Sequence, residues 1–112
     1  MSEQGLALED DNGPSLAREP LSASAAAELA PLLKAIGDPV RLRLASLIAS
    51  HPGGEVAVGG LTGAFDLTAP TISYHLKVLR EAGLVVADRR GTWVYYRVSP
   101  GSLARLSALL AP

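Results

Sequence analysis

The chain has 112 residues, 48% of them hydrophobic and 19% charged, material for one small domain near the lower end of comfortable core size, where oligomerisation commonly adds buried surface. Its formal charge of −1 hides a split: Leu67 onward carries six Lys/Arg against two Asp/Glu, whereas Met1 to Pro20 carries one Arg against five acids, so a nucleic acid would meet the C-terminal half. The absence of cysteine excludes thiolate and disulfide chemistry, no apolar run approaches the ~20 residues of a membrane span, and the acidic N-terminus lacks the basic-then-apolar layout of a secretion signal, so the cytoplasm is the expected location.

Residues 1–20 mix Gly, Ser, Pro, Asn and acids with scattered leucines and read as a flexible acidic arm ahead of a folded domain over 21–112. From Ser22 or Ser24 an Ala-rich helix carries Glu28, Leu29, Leu32, Leu33 and Ile36 up to Gly37. Pro31 lies inside that run, so the helix either kinks there or starts near Ala30. Asp38 caps a second helix with Pro39 in its first position, and Val40, Leu42, Leu44, Leu47 and Ile48 form an apolar surface that reads as core. His51-Pro52-Gly53-Gly54 breaks the chain, after which Val56 and Val58 look like an extended lead into a helix over Leu61 to Phe65.

The stretch Leu67 to Val85 carries the strongest signal. Thr68 can cap a helix through its hydroxyl, and Pro70 is tolerated in the first turn, where its missing N–H would have been unpaired anyway. Ile72, Leu76 and Leu79 form a narrow apolar stripe; Thr71, Ser73, Tyr74 and Lys77 lie on or beside the opposite face. Gly83 is the left-handed stop, and Leu84, Val85 and Val86 begin a strand. The pattern predicts the turn and recognition helix of a helix-turn-helix, against the plainer alternative of an amphipathic surface helix. His75 falls nearer the buried side and reads as a packed, hydrogen-bonded histidine rather than a DNA contact or metal ligand.

Two β-rich runs then flank Arg90-Gly91, where glycine supplies the positive φ of a tight hairpin. Alternation puts Val94, Tyr96 and Val98 on one face and Trp93, Tyr95 and Arg97 on the other, as in a β-wing with Arg89 and Arg90 at its tip. Ser99 and Pro100 start a last helix with Leu103, Leu106, Leu109 and Leu110 on one side. A terminal helix this leucine-rich has little mass around it. Pairing of Leu29, Leu32, Leu103, Leu106 and Leu110 with a second copy is the expected use of those side chains, and packing within the monomer is the alternative.

Four stretches together carry a resemblance: Leu33 to Leu44, Leu67 to Tyr74, His75 to Gly83, and Arg89 to Val98. In order and spacing they are similar to the arsenic-resistance repressor family (ArsR/SmtB type) of small winged-helix metalloregulators. The resemblance implies a mainly α fold with a β-hairpin, a homodimeric winged helix-turn-helix, and a repressor that leaves an imperfect palindrome in double-stranded operator DNA when an inducer binds. On that reading Lys77, Arg89 and Arg90, with Arg97 beside them, meet phosphates. Ala69 and Pro70 offer apolar surface to thymine methyls, while Thr71, Ser73 and Tyr74 hydrogen-bond to bases or phosphates next to the capping Thr68.

Many relatives of that type carry a Cys-x-Cys pair at the start of the scaffold helix. Here the matching residues are Ala57-Val58-Gly59, followed by Gly60 in place of the usual acid. The paired Asp/His zinc ligands that other members place in their last helices are missing from Pro100 to Pro112, and His51 and His75 stand in different elements. No metal and no cofactor is therefore expected. Two readings of Ala57 to Gly60 stand: a thiol-free regulator answering to another signal or to none, or an altered version of a cysteine-bearing sensor. An enzyme is not expected, for the chain lacks a cysteine nucleophile, a Ser/His/Asp spacing, a Gly-rich phosphate loop followed by Lys, and an acid cluster outside the arm. A protein-interaction module is the competing class. It would have no need of the basic stretch from Lys77 to Arg97.

Overall fold

Among the described residues, four of the five α-helices begin on a side-chain oxygen written into the sequence. The computed structural model describes residues 13–112. In it Ser22 caps α1 (Ala23–Ile36), Asp38 caps α2 (Pro39–Ser50), Thr68 caps α4 (Ala69–Glu81) and Ser99 caps α5 (Pro100–Leu110). Each cap accepts a first-turn amide that the helix itself cannot satisfy. The exception is α3 (Val58–Thr62), which follows Ala57 with no side-chain cap. Helix α1 runs unbroken through Pro31, contrary to the later start near Ala30. One lost backbone bond is tolerated there because Leu29, Leu32 and Ala35 anchor the helix in the core on both sides of the proline.

The sheet has three antiparallel strands in the order β1 (Val56–Ala57), β3 (Trp93–Val98), β2 (Val85–Arg90). Val56 pairs with Tyr96 on one side of the middle strand; on the other the register runs from Val85 opposite Val98 to Arg90 opposite Trp93. The tight turn is thus Gly91-Thr92, one residue later than the sequence suggested. Gly91 has φ 64°, and a glycine first in a two-residue loop suits a type II′ turn that follows the twist of its strands. Gly83, at φ 81°, closes α4: its N–H donates to the Arg80 carbonyl and that of Leu84 to Leu79, both at 3.0 Å. This crossed pair is the Schellman arrangement, and it turns the chain straight into β2.

The core gathers Leu29 and Leu32 from α1, Leu44 and Ile48 from α2, Leu61 from α3, Ile72, Leu76 and Leu79 from α4, Leu84, Val85 and Val98 from the hairpin, and Leu106 and Leu109 from α5. Leu42 is the exception among the apolar residues of α2, since it faces solvent. The scaffold helix has the five residues expected but lies three positions earlier than Leu61 to Phe65. It starts at Val58 because β1 ends after two residues, and Phe65 packs against the core from the turn beyond it.

Residues 1–12 of the expected arm lie outside the described residues. The next few are tied down: Ser15 is buried, its hydroxyl donates to the Ala111 carbonyl at 3.1 Å, and the Leu16 N–H donates to Leu109 at 3.0 Å. Those carbonyls belong to the open end of α5, where no further turn exists to receive them.

Candidate nucleic-acid interface

The outer face of α4 is built by its own start. The Thr68 hydroxyl accepts from the Thr71 N–H at 3.3 Å and shares a 2.9 Å hydrogen bond with the Thr71 hydroxyl, so both threonines serve the helix end. Ala69 and Pro70 are exposed beside them. Ser73, Tyr74 and Lys77 point to solvent one turn on, without a hydrogen bond or ion pair to any described residue; Tyr74 is 59% exposed. An exposed row of donors and acceptors with no internal partner can address another molecule without first breaking a bond of its own.

Behind this face, α4 is locked to α2. Arg41 donates through Nε to the Ala35 carbonyl at 2.6 Å and through a terminal nitrogen to His75 Nδ1 at 3.2 Å. A guanidinium only donates, so Nδ1 accepts and the ring proton sits on Nε2. His75 is accordingly the half-buried, hydrogen-bonded histidine expected. Asp38 Oδ2 accepts from the amides of Val40 and Arg41 at 2.9 and 3.1 Å. The Arg41 amide bond is the main reason its carboxyl stays below the usual range, against an opposing desolvation cost.

The two wing arginines differ. Alternation along β2 puts Arg89 with the inward-facing row and Arg90 with the outer one. Arg89 is exposed and has no partner among the described residues. Arg90 donates to both oxygens of Glu55, at 2.6 and 2.7 Å, and through Nε to Asp88 at 3.0 Å, while its plane lies 4.6 Å from the centre of the Tyr95 ring. The Arg90 hydrogen bonds hold the Glu55 carboxyl low, and the same bonds, Glu55 first, push the guanidinium pKa up. The two arginines expected to meet phosphates at the tip thus stand differently, for Arg90 already has two carboxylates. Trp93, 60% exposed beside the turn, stands on the outer face that alternation predicts and adds an aromatic to the residues expected there. Its signal was an aromatic next to a glycine turn.

Of the leucines expected at a seam between copies, Leu29, Leu32 and Leu106 are buried within their own chain, Leu106 with 7% of its surface left. The helix pair α1 and α5 uses them as core, with Arg105 reaching Glu28 at 3.5 Å alongside. Leu103 and Leu110 do face out, Leu110 at 62%, and Leu33 and Leu16 are exposed as well, though neither was expected at the seam. Ala57 closes β1 opposite Tyr95, and Gly59 lies exposed in the first turn of α3. A Cβ at Gly59 would meet nothing, whereas one at Gly60 would come within 2.9 Å of the Val56 side chain. Among the described residues no three His, Cys, Asp or Glu side chains come together.

Comparison with known proteins places this geometry. Residues 36–86 match the helix-turn-helix domain family. A biofilm growth-associated repressor of Agrobacterium fabrum is 43% identical over 81 residues, covering 72% of this chain and 67% of that protein. The arsenic resistance transcriptional regulator ArsR1 of Pseudomonas putida is 46% identical over 69 residues, 62% of this chain. The chain belongs to the ArsR family of transcriptional regulators. The match spans about half of the Pseudomonas protein, 52% of its length. A crystal structure of a possible transcriptional regulator for arsenical resistance superposes with a TM-score of 0.62 at 40% identity, covering 70% of this chain and 78% of that one. The winged helix-turn-helix fold expected for an ArsR-type chain is the fold observed, and its relatives are regulators rather than enzymes. No helix among the described residues is long and apolar enough to cross a membrane.

Proposed function

We propose that this protein is a transcriptional repressor that binds an inverted-repeat operator as a homodimer and lacks the thiolate sensor of its family. The observation that carries the reading is the free outer face of α4. Among the described residues Ser73, Tyr74 and Lys77 are exposed and make no hydrogen bond or ion pair, next to a wing whose Arg89 makes none either. On this reading Lys77 and Arg89 meet phosphates and supply salt-dependent affinity. Ala69, Pro70, Thr71, Ser73 and Tyr74 meet base edges or the adjoining backbone, with Thr68 fixing the helix end. Leu33, Leu103 and Leu110 on the α1 and α5 side are the surface for a second copy. Two such copies present their recognition helices one turn of DNA apart, ~34 Å.

Enrichment of bound duplexes from a random pool tests the reading: it should return an inverted repeat with half-sites so spaced. A pool that yields no enriched duplex, or single half-sites bound by monomers, counts against it. Soft-metal release needs thiolates that the chain does not contain, so arsenite, cadmium and zinc at micromolar levels should leave the protein on its operator. If Ala57 to Gly60 is an altered sensor, Ala57→Cys with Gly59→Cys should gain an arsenite response, since the space around Gly59 is open.

A further inference from the structure

We infer that Glu55 is an internal substitute for a DNA phosphate, which holds Arg90 out of the wing's binding charge and so lets the position of β1 set how many cations the wing brings to DNA. The inference rests on the proposed DNA-binding role of the wing. A carboxylate and a phosphate offer the guanidinium fork the same pair of oxygens. In Arg90 that fork is occupied: its two terminal nitrogens reach Glu55 at 2.6 and 2.7 Å, Nε reaches Asp88 at 3.0 Å, and the flat face rests on Tyr95. A phosphate would have to displace a two-pronged charged pair held within the same chain, and would approach Asp88 as a like charge. Arg89 has no such competitor among the described residues.

The residue that occupies Arg90 is distant in sequence and stands immediately ahead of another strand, β1. Glu55 follows two successive left-handed glycines, Gly53 at φ 83° and Gly54 at φ 76°, and leads into β1. The order β1, β3, β2 places it across the middle strand from Arg90, so the pair spans the sheet. It therefore joins the lead into α3 to the wing. A shift of β1 along β3 would withdraw the carboxylate and return one cation to the tip.

Mobility shifts of the full chain on operator and on unrelated duplex, over a salt series, test this. Arg90→Ala should leave affinity within about two-fold and the log-log salt slope unmoved. Glu55→Gln should raise affinity on both duplexes and steepen the slope, by at most about 0.9 for one added phosphate contact, since Asp88 still holds the Arg90 Nε at 3.0 Å. Glu55→Gln with Arg90→Ala should return to the slope of the unmodified protein, which separates release of Arg90 from the mere loss of a negative charge. A flatter slope in Arg90→Ala overturns the inference, since Arg90 would already be on the backbone. So does an unmoved slope in Glu55→Gln with an unchanged melting curve. If that variant melts early, Arg90→Ala decides alone. Arg89→Ala isolates the underlying reading of the wing: it should flatten the slope, and if it does not, the wing is off the DNA and this inference has no ground, whereas the role of α4 is decided separately by the duplex enrichment.

Discussion

Helices α4 and α5 start by the same rule and end in opposite surfaces. Each opens on a hydroxyl, Thr68 or Ser99, that accepts the amide three residues on, each has proline in its first turn, and each buries a stripe that includes two or three leucines or isoleucines. Beyond that stripe α4 shows Ser73, Tyr74 and Lys77, whereas α5 shows Leu103 and Leu110. Caps and stripes place a helix on the core. The residues left outside decide which kind of molecule it can meet, polar for a DNA groove and apolar for protein.

The largest expected effect breaks the comparison on the α5 side. Leu106→Glu would put a carboxylate into the core shared by α1 and α5, at a cost of roughly 3 kcal/mol or more, and the cooperative thermal transition should be lost or sharply lowered. Leu103→Glu and Leu110→Glu should keep that transition while sedimentation shows monomers. A folded, dissociated Leu106→Glu would put the division between core and outer face in the wrong place. Next comes the α4 side, where Tyr74→Ala should weaken operator binding by about 1–3 kcal/mol without lowering the melting temperature. Unchanged affinity in a mobility shift would remove Tyr74 from the interface.

A smaller effect sharpens the contrast. Thr68→Ala and Ser99→Ala each delete one cap and should each cost about 1 kcal/mol of stability in denaturant titrations, but only Thr68→Ala should also weaken DNA binding. Equal binding losses would show that the cap acts through stability alone. The smallest effect is a pH dependence that neither hydroxyl cap can supply. Asp38 and Glu55 are held below their ordinary values of 3.8 and 4.5 in the folded chain. Their contribution is therefore complete above those values and is lost as pH falls through the lower folded ones. Stability should decline in that acidic window, and Asp38→Ser with Glu55→Gln should flatten the decline.

What could be read ahead of the structure was whatever short-range chemistry fixes. The caps at Asp38 and Thr68, the helix start at Ser99, the stop at Gly83 and the alternation of β3 all depend on residues within a few positions of each other, and all stand in the fold; of the two serines offered for the first helix, Ser22 is the cap. Pro31 misled because its local penalty is outweighed by burial on either side. The sharing of leucines between core and outer face was hidden because Leu103, Leu106 and Leu110 are alike in composition and differ only in whether α1 covers them. The pairing of Arg90 with Glu55 was the feature least legible in the sequence. They stand 35 residues apart, and only the sheet order brings the two together.

The tie of Ser15 and Leu16 to the end of α5 has a consequence for how the chain assembles. The bond from Ser15 to Ala111 closes a loop of 96 positions, so its entropy must be met by contacts already made between them. It can form only on a finished domain and adds nothing to the nucleus that builds one. The Leu16 amide is therefore a clock hand for the last step of folding: in a pulse-labelled refolding experiment it should gain protection from exchange after the amides of α4, whose bonds close within four residues.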